Sequence, residues 1–318
     1  MAPNRHTAVS VLDHAQRLVT AGRRDEAIAL VRNAASGGDV EALYALANWR
    51  LFGLFVPRDL DEAHRLFDQG VASGHADAIR TKAALLANGT GCSADPAQAA
   101  ALLGTIRESD TYAARQLAML EQMHESEGAS AALSREPVIK VFRKLLSAHE
   151  CDYLIALAEP QLQPSFVINP NTGRRMPHPV RTSMGMNFGP TSEDLVVRRL
   201  NERLARVSDT DVACGEPLHV LRYTPGQEYR PHNDALPGEM NQRDWTVLVY
   251  LNSGYRGGGT QFDRIGVEFA GGPGDALIFR NVDAVGQPEP LTRHAGLPVL
   301  DGVKWLATRW IRRNPIQF

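Results

Sequence analysis

The chain is poor in several things. It holds only three cysteines, Cys92, Cys151 and Cys214, widely spaced and with no C-x-x-C pair. That is too few for a disulfide framework, and they read as ordinary reduced thiols. No run of about 18 apolar residues occurs, and the N-terminal MAPNRHTAVSVLDHAQRL lacks a long apolar h-region. The expectation is a cytoplasmic protein with no membrane partner. Net charge is also scarce: a formal -2 with a pI near 6.6 gives no global pull toward nucleic acid. What the chain does have is length and apolar content. Its 318 residues, 43% of them hydrophobic, can supply the cores of two modest domains.

The first part repeats itself every 36 residues. Ala27, Ala63 and Ala99 fall in step, as do Ala42, Ala78 and Ala114, in matching local contexts such as DEAIAL, DEAHRLF and PAQAAALL. Small residues at such positions let paired helices approach closely, and each unit stacks on its neighbours to bury its apolar face. Gly37-Gly38 and Gly74 mark the turns. LANWRLFGLFVPRDLDEAHRLFDQGVASGHADA, and again LANGTGCSADPAQAAALL, resemble the Sel1-like branch of the tetratricopeptide family. The resemblance implies a surface for a protein partner, with a purely stabilising helical cap as the alternative. We assign residues 1–125 to these repeats and the polar, small-residue-rich 126–136 to a linker.

From Val138 the pattern changes to short extended runs divided by glycine and proline: VIKVF, VRTSMGMNF, LHVLRYT, WTVLVYLN, GTQF, VEFA, DALIFR and KWLATRWIR, with two helical segments before LHVLRYT. This predicts, for residues 137–318, a mainly antiparallel β domain with flanking helices, best matched by a double-sheet jelly roll. The whole chain is thus an α+β multidomain protein, a helical repeat array followed by a double-stranded β-helix.

Three residues of this domain could hold a metal: His232 and Asp234 in YRPHNDAL, and His294 in LTRHAGLPV. Two imidazoles and one carboxylate occupy one face of an octahedral Fe(II) and leave the other open. H-x-D alone proves little, and the chain contains its own comparison. His75 and Asp77 share the spacing but lie in an alanine-rich helical stretch, where residues two apart point to opposite sides. His232 and Asp234 lie among extended sequence, where i and i+2 share a face, and His294 could come from a neighbouring strand.

Residues 138–314 resemble the prolyl 4-hydroxylase family of 2-oxoglutarate-dependent Fe(II) dioxygenases, through FRKLLSAHECDYLIALA, LRYTPGQEYRPHND, VLVYLNSGYRGGGTQF, GDALIF and RHAGLPVLDGVKWLATRWIR. The resemblance implies Fe(II) on His232, Asp234 and His294, with 2-oxoglutarate and O2 as cosubstrates and ascorbate as a reductant. It implies that Lys304 pairs with the distal carboxylate of 2-oxoglutarate, and that Tyr223 and Thr260 complete that pocket. It also implies substrate contacts at Arg181, Ser183, Glu216, Arg243 and Trp310, and a substrate-covering lid in INPNTGRRMPHP, with Arg174-Arg175. The activity so implied is hydroxylation of a C–H bond, with proline C4 of a peptide or protein as the leading target. Two readings stand beside it: the same chemistry on a free amino acid or other small molecule, and a catalytically silent repeat-containing binding module. The presence of Asp234 speaks against halogenation, where a small residue normally vacates the carboxylate position.

Overall fold

A computed structural model of the protein describes residues 10–123, 129–168, 175–177 and 179–316. The chain divides into two compact units. One runs to Leu120 and includes Pro190–Leu195; the other comprises Glu121–Gly189 and Val196 onward.

The first unit is built of helices α1 (Val11–Thr20), α2 (Arg24–Ser36), α3 (Val40–Phe52), α4 (Leu60–Ala72), α5 (Ala76–Asn88), α6 (Pro96–Gly104) and α7 (Thr111–Gln122). The repeat is visible in how the helices begin. Arg23, Asp59 and Asp95 stand at the N-caps of α2, α4 and α6. Ala27, Ala63 and Ala99, four residues on in each case, are fully buried. Asp39 and His75 cap α3 and α5 by accepting from the amides of Ala42 and Ala78, which are likewise fully buried. A side-chain acceptor there satisfies an amide that the helix itself cannot.

The third repeat slips by one residue. Asp110 accepts from the amide of Ala113, and it is Ala113, not Ala114, that is fully buried. The connection before α7 is one residue shorter, so strict periodicity points to the wrong alanine.

Helices α4 and α5 approach closely at Gly70, where an added Cβ would lie 2.7 Å from that of Ala78. Gly104, near the end of α6, meets nothing within 4 Å. The same Gly→Ala change should therefore have opposite signs at the two positions. Alanine gains about 1 kcal/mol of helix propensity at either site, while overpacking at Gly70 costs about 1–3 kcal/mol. Thermal unfolding is expected to show Gly70→Ala destabilised and Gly104→Ala unchanged or stabilised. Equal shifts would mean that the helices re-space freely.

Residues Pro190–Leu195 complete this unit. Asn88 Nδ2 donates to the carbonyls of Pro190 and Glu193 (2.7 and 3.2 Å), and the Tyr112 hydroxyl donates to Asp194. Gln116 Oε1 accepts from the Leu195 amide.

In chain order the second unit contains β1 (Ala129–Ser134), β2 (Ile139–Arg143), α8 (Ala148–Ala158), β3 (Gln163–Pro164), β4 (Phe166–Ile168), β5 (Arg175–Pro177), β6 (Met184–Asn187) and α9 (Leu195–Val207). There follow β7 (His219–Tyr223), β8 (Tyr229–His232), β9 (Arg243–Tyr250), β10 (Arg256–Gly257), β11 (Thr260–Phe262), β12 (Val267–Phe269), β13 (Ala276–Arg280), β14 (His294–Gly296), β15 (Val299–Asp301) and β16 (Lys304–Arg312). The strands form an eight-stranded sheet, β1-β2-β13-β9-β16-β7-β6-β3, and a four-stranded sheet, β12-β11-β14-β8, with two short ribbons, β10-β15 and β4-β5. Leu221, Leu248, Leu277 and Leu306 from the large sheet share one core with Phe262 and Phe269 from the small one. That is the jelly roll, two sheets enclosing an apolar interior.

One sequence expectation changes here. Residues 129–134, assigned to the linker, form β1, an edge strand paired with β2. Its apolar face, Ala129, Ala131 and Leu133, stays exposed, so the ladder to β2 and not burial makes it a strand. Of the expected lid, residues 169–174 and 178 lie outside the described residues, Arg174 among them; the flanking β4 and β5 pair with each other, Phe166 opposite Pro177.

Strand periodicity positions the site. Lys304, Leu306, Thr308 and Trp310 alternate along one face of β16 and all line one cavity. On β7, Tyr223, Leu221 and His219 stand opposite Lys304, Leu306 and Thr308. The large sheet thus presents a floor that runs from polar residues through leucines to polar residues again.

Candidate active site

Strand pairing brings the two histidines together. β14 runs antiparallel to β8 with His294 directly opposite His232, and their rings lie 4.3 Å apart between centroids. Asp234 arrives differently from the sequence expectation. β8 ends at His232, and Asp234 sits in the bend that follows, outside any ladder. Its carboxylate still reaches both imidazoles: Oδ1 is 3.4 Å from His232 Nε2, and Oδ2 is 3.7 Å from His294 Nε2. Among the described residues this is the one group of three or more potential ligands gathered for a metal ion, with the donor atoms within 4.8 Å of one another. His75 and Asp77, at the same spacing, separate: His75 caps α5 and reaches Glu41, and Asp77 pairs with Arg80.

The hydrogen bonds orient this group for a cation. His232 Nδ1 lies 2.8 Å from the Arg230 carbonyl and His294 Nδ1 lies 3.0 Å from that of Thr292. A carbonyl can only accept, so each Nδ1 carries the proton and each Nε2 turns a lone pair inward. His232 Nε2 is buried with no hydrogen-bond partner among the described residues, which suits a metal-ligand atom. Burial pushes the His294 imidazole down to about 4, helped by nearby His232, so it is neutral at pH 7. Burial also pushes the Asp234 carboxyl up. Positive charge on the neighbouring His294 and His232 rings, when they are protonated, and the Thr246 hydroxyl oppose this and pull it below the usual carboxylate range. Two imidazoles and one carboxylate facing one point fit a divalent iron.

The same cavity extends to Lys304, which is 2% exposed. Its Nζ donates to the Gly258 carbonyl at 2.6 Å and lies over the rings of Tyr223 and Tyr250, 5.5 and 5.0 Å from their centroids. No carboxylate among the described residues pairs with it, and burial pushes its ammonium down to about 7. Glycine is needed at 258 for the approach: its φ is +69°, and a Cβ would lie 3.0 Å from Lys304 Cδ. A buried cation with aromatic walls and no counter-ion fits the carboxylate of an anionic ligand.

The remaining residues separate into two groups. Tyr223, Thr260, Arg181 and Trp310 line the cavity. The Tyr223 hydroxyl meets Ser183, and Ser183 Oγ is 3.1 Å from that of Ser165, to which Arg181 Nε donates. Glu216 and Arg243 do not line the cavity. Arg243 grips Glu216 with two bonds of 2.7 Å, Arg312 adds a third, and the Arg243 guanidinium lies 4.0 Å over the Trp310 ring. Arg243 therefore backs the indole that faces the cavity.

Thr260 is also partly committed. Tyr250 donates to the Phe269 carbonyl, so the 2.8 Å bond between the two hydroxyls runs from Thr260 to Tyr250. Sequence reasoning missed Tyr250, and also Tyr229, which stacks on His232 at 3.5 Å. Tyr250 is a polar-tipped aromatic in phase with Thr246 and Leu248 on β9, a signal that could have found it; Tyr229, three residues before His232, is out of phase with it and shares the cavity only through the irregular β8–β14 register.

Comparison with known proteins adds the family. Residues 218–312 match the model of the 2OG-Fe(II) oxygenase superfamily. Over 201 residues the chain is 35% identical to prolyl 4-hydroxylase 1 of Arabidopsis thaliana, covering 57% of this chain and 71% of that protein. A crystal structure of the viral collagen prolyl hydroxylase of Paramecium bursaria Chlorella virus-1, in complex with 2OG, aligns over 55% of this chain and 95% of its own at 27% identity, with a TM-score of 0.44. A Sel1 repeat protein from Oxalobacter formigenes aligns over 34% of this chain and 86% of its own at 20% identity, with a TM-score of 0.32. With the superfamily match lying over the His232, Asp234, His294 and Lys304 positions and this identity across most of the plant protein, the chain belongs to the prolyl 4-hydroxylase family and is a 2-oxoglutarate-dependent dioxygenase.

Proposed function

We propose that the protein hydroxylates C4 of a proline in a peptide or protein, with Fe(II) held by His232, Asp234 and His294. The reaction consumes O2 and 2-oxoglutarate. One oxygen atom enters the new alcohol and the other the succinate that forms as CO2 leaves. Bound Fe(II) would supply the redox chemistry that activates dioxygen. The observation that carries this reading is a cavity joining the His-Asp-His group to a buried lysine that no carboxylate among the described residues pairs with.

The chain's own side chains do the binding and shielding. Lys304 pairs with the distal carboxylate of 2-oxoglutarate, with the Tyr223 hydroxyl beside it. A Thr260 hydroxyl bond to that carboxylate requires its proton to leave Tyr250. Leu221, Leu248 and Leu306 line the space between lysine and iron ligands and keep it dry, which strengthens the ion pair. On the substrate side, the Trp310 indole offers a flat apolar face to a pyrrolidine ring. Its buried Nε1 has no hydrogen-bond acceptor among the described residues. Arg181 supplies a donor at the cavity wall. Ascorbate serves as reductant for iron oxidised in unproductive turnover.

The test is to supply iron-loaded protein with 2-oxoglutarate, O2 and either a proline-rich peptide or free L-proline, and follow product by mass spectrometry. A gain of one oxygen on the peptide, lost in Trp310→Ala while 2-oxoglutarate still binds, is the expected result. Hydroxylation of free proline alone would assign the chemistry to a small molecule instead.

A further inference from the structure

The carboxylate ligand is held from behind by two buried residues that neither the motif nor the cavity walls reveal. Thr246 Oγ1 donates to Asp234 Oδ2 at 2.7 Å, and Asn281 Nδ2 donates to the same Thr246 oxygen at 2.8 Å. Thr246, Asn281 and Asp234 are 0%, 1% and 5% exposed. The second bond fixes the sense of the first: because the amide gives its proton to the hydroxyl oxygen, the hydroxyl proton is left for the carboxylate. The Asn281 backbone is fixed on both sides, its N–H donating to the Asp244 carbonyl and its C=O accepting from the Glu289 N–H.

The position makes the pair informative. Thr246 is in phase with Leu248 and Tyr250 on the inward face of β9, where an apolar side chain of the same shape would pack equally well. Asp234 lies in a bend with no ladder to set its direction, so its side chain depends on what grips it. Building on the Fe(II) reading above, we propose that Asn281 and Thr246 form a relay of positioning residues that holds Asp234 Oδ2 and turns Oδ1 toward the metal. Orienting partners of this kind set ligand geometry and affinity without touching the ion.

The experiment is a cobalt(II) titration of the metal-free full-length protein, read by visible absorption and calorimetry, with thermal unfolding of each metal-free variant alongside. Thr246→Val keeps shape and removes the hydroxyl; it should weaken cobalt binding by about 10–100-fold in a protein that stays folded, with a modest fall in melting temperature because the buried Asn281 amide loses its acceptor. Thr246→Ser should restore binding. Asn281→Ala should give a smaller loss, and adding it to Thr246→Val should cost nothing more, as members of one chain are not additive. The relay is overturned if Thr246→Val binds cobalt within twofold of wild type while His294→Ala does not bind, an outcome that leaves the metal site standing. It is overturned also if Thr246→Ser fails as badly as valine, or if the two losses simply add. Unchanged binding in His294→Ala would remove the metal reading itself, and the relay with it.

Discussion

His294→Ala is expected to abolish 2-oxoglutarate turnover and weaken iron binding by more than the about 10–100-fold that loss of an orienting partner costs. The residue is 4% exposed and has no role in the ladder that alanine could not fill, so the fold should survive. What disappears is one of three ligands, and the surviving His232 and Asp234, two residues apart in sequence, can no longer enclose the ion from two segments of the chain. The measurement is an anaerobic titration of the iron-loaded protein with 2-oxoglutarate, watching for the visible metal-to-ligand charge-transfer band. Wild type should develop the band and His294→Ala should not. A band of full intensity in the variant would mean that the ion is held elsewhere.

Lys304→Ala should leave iron binding intact and raise the 2-oxoglutarate needed for the same band by about two to three orders of magnitude, since truncating one partner of a buried, hydrogen-bonded charge pair costs about 2–5 kcal/mol. A second readout identifies the lysine. Its ammonium is pushed down to about 7 in the ligand-free protein, against about 10.4 in an unfolded chain. Above pH 7 most molecules must take up a proton to bind the carboxylate, whose charge then raises the lysine again. Affinity should be flat below pH 7 and fall about tenfold per pH unit above it, until the pKa of the bound form is reached. Calorimetry in buffers of different ionisation enthalpy should register close to one proton taken up at pH 8, and none in Lys304→Ala. The sign reverses for stability. Between pH 7 and about 10 the unfolded chain binds more protons than the folded one at this site, so the ligand-free protein should grow more stable as pH rises. No proton uptake by wild type would remove Lys304 as the anion's partner.

Much of the site was legible because its chemistry uses residue types that have little reason to be buried. Two histidines, an aspartate and a lysine in extended sequence stand out against valine and leucine, and the wrong H-x-D, at His75, could be set aside by its helical surroundings. The bend at Asp234 was not legible, since i and i+2 logic assumes that the strand continues. Thr246 escaped notice because threonine is at home in a strand; only its phase with Leu248 and Tyr250 shows that a hydroxyl faces inward. Arg243 and Glu216 illustrate the opposite limit. Both are polar residues near the cavity, and the sequence cannot show that they satisfy each other. In the helical unit the alanine period located the helices, but a one-residue shortening before α7 moved the buried position from Ala114 to Ala113.

The six residues Pro190–Leu195 belong to the helical unit, although the chain on both sides of them belongs to the other. The polypeptide therefore passes from one unit to the other three times. During synthesis, helices α1 to α7 leave the ribosome well before the segment that Asn88, Tyr112 and Gln116 hold. Those polar groups stay bonded to water, and not to their partners, until β1 to β6 have emerged. Completion of the N-terminal unit is thereby tied to delivery of the first part of the oxygenase unit, and the two cannot mature as independent beads on a string.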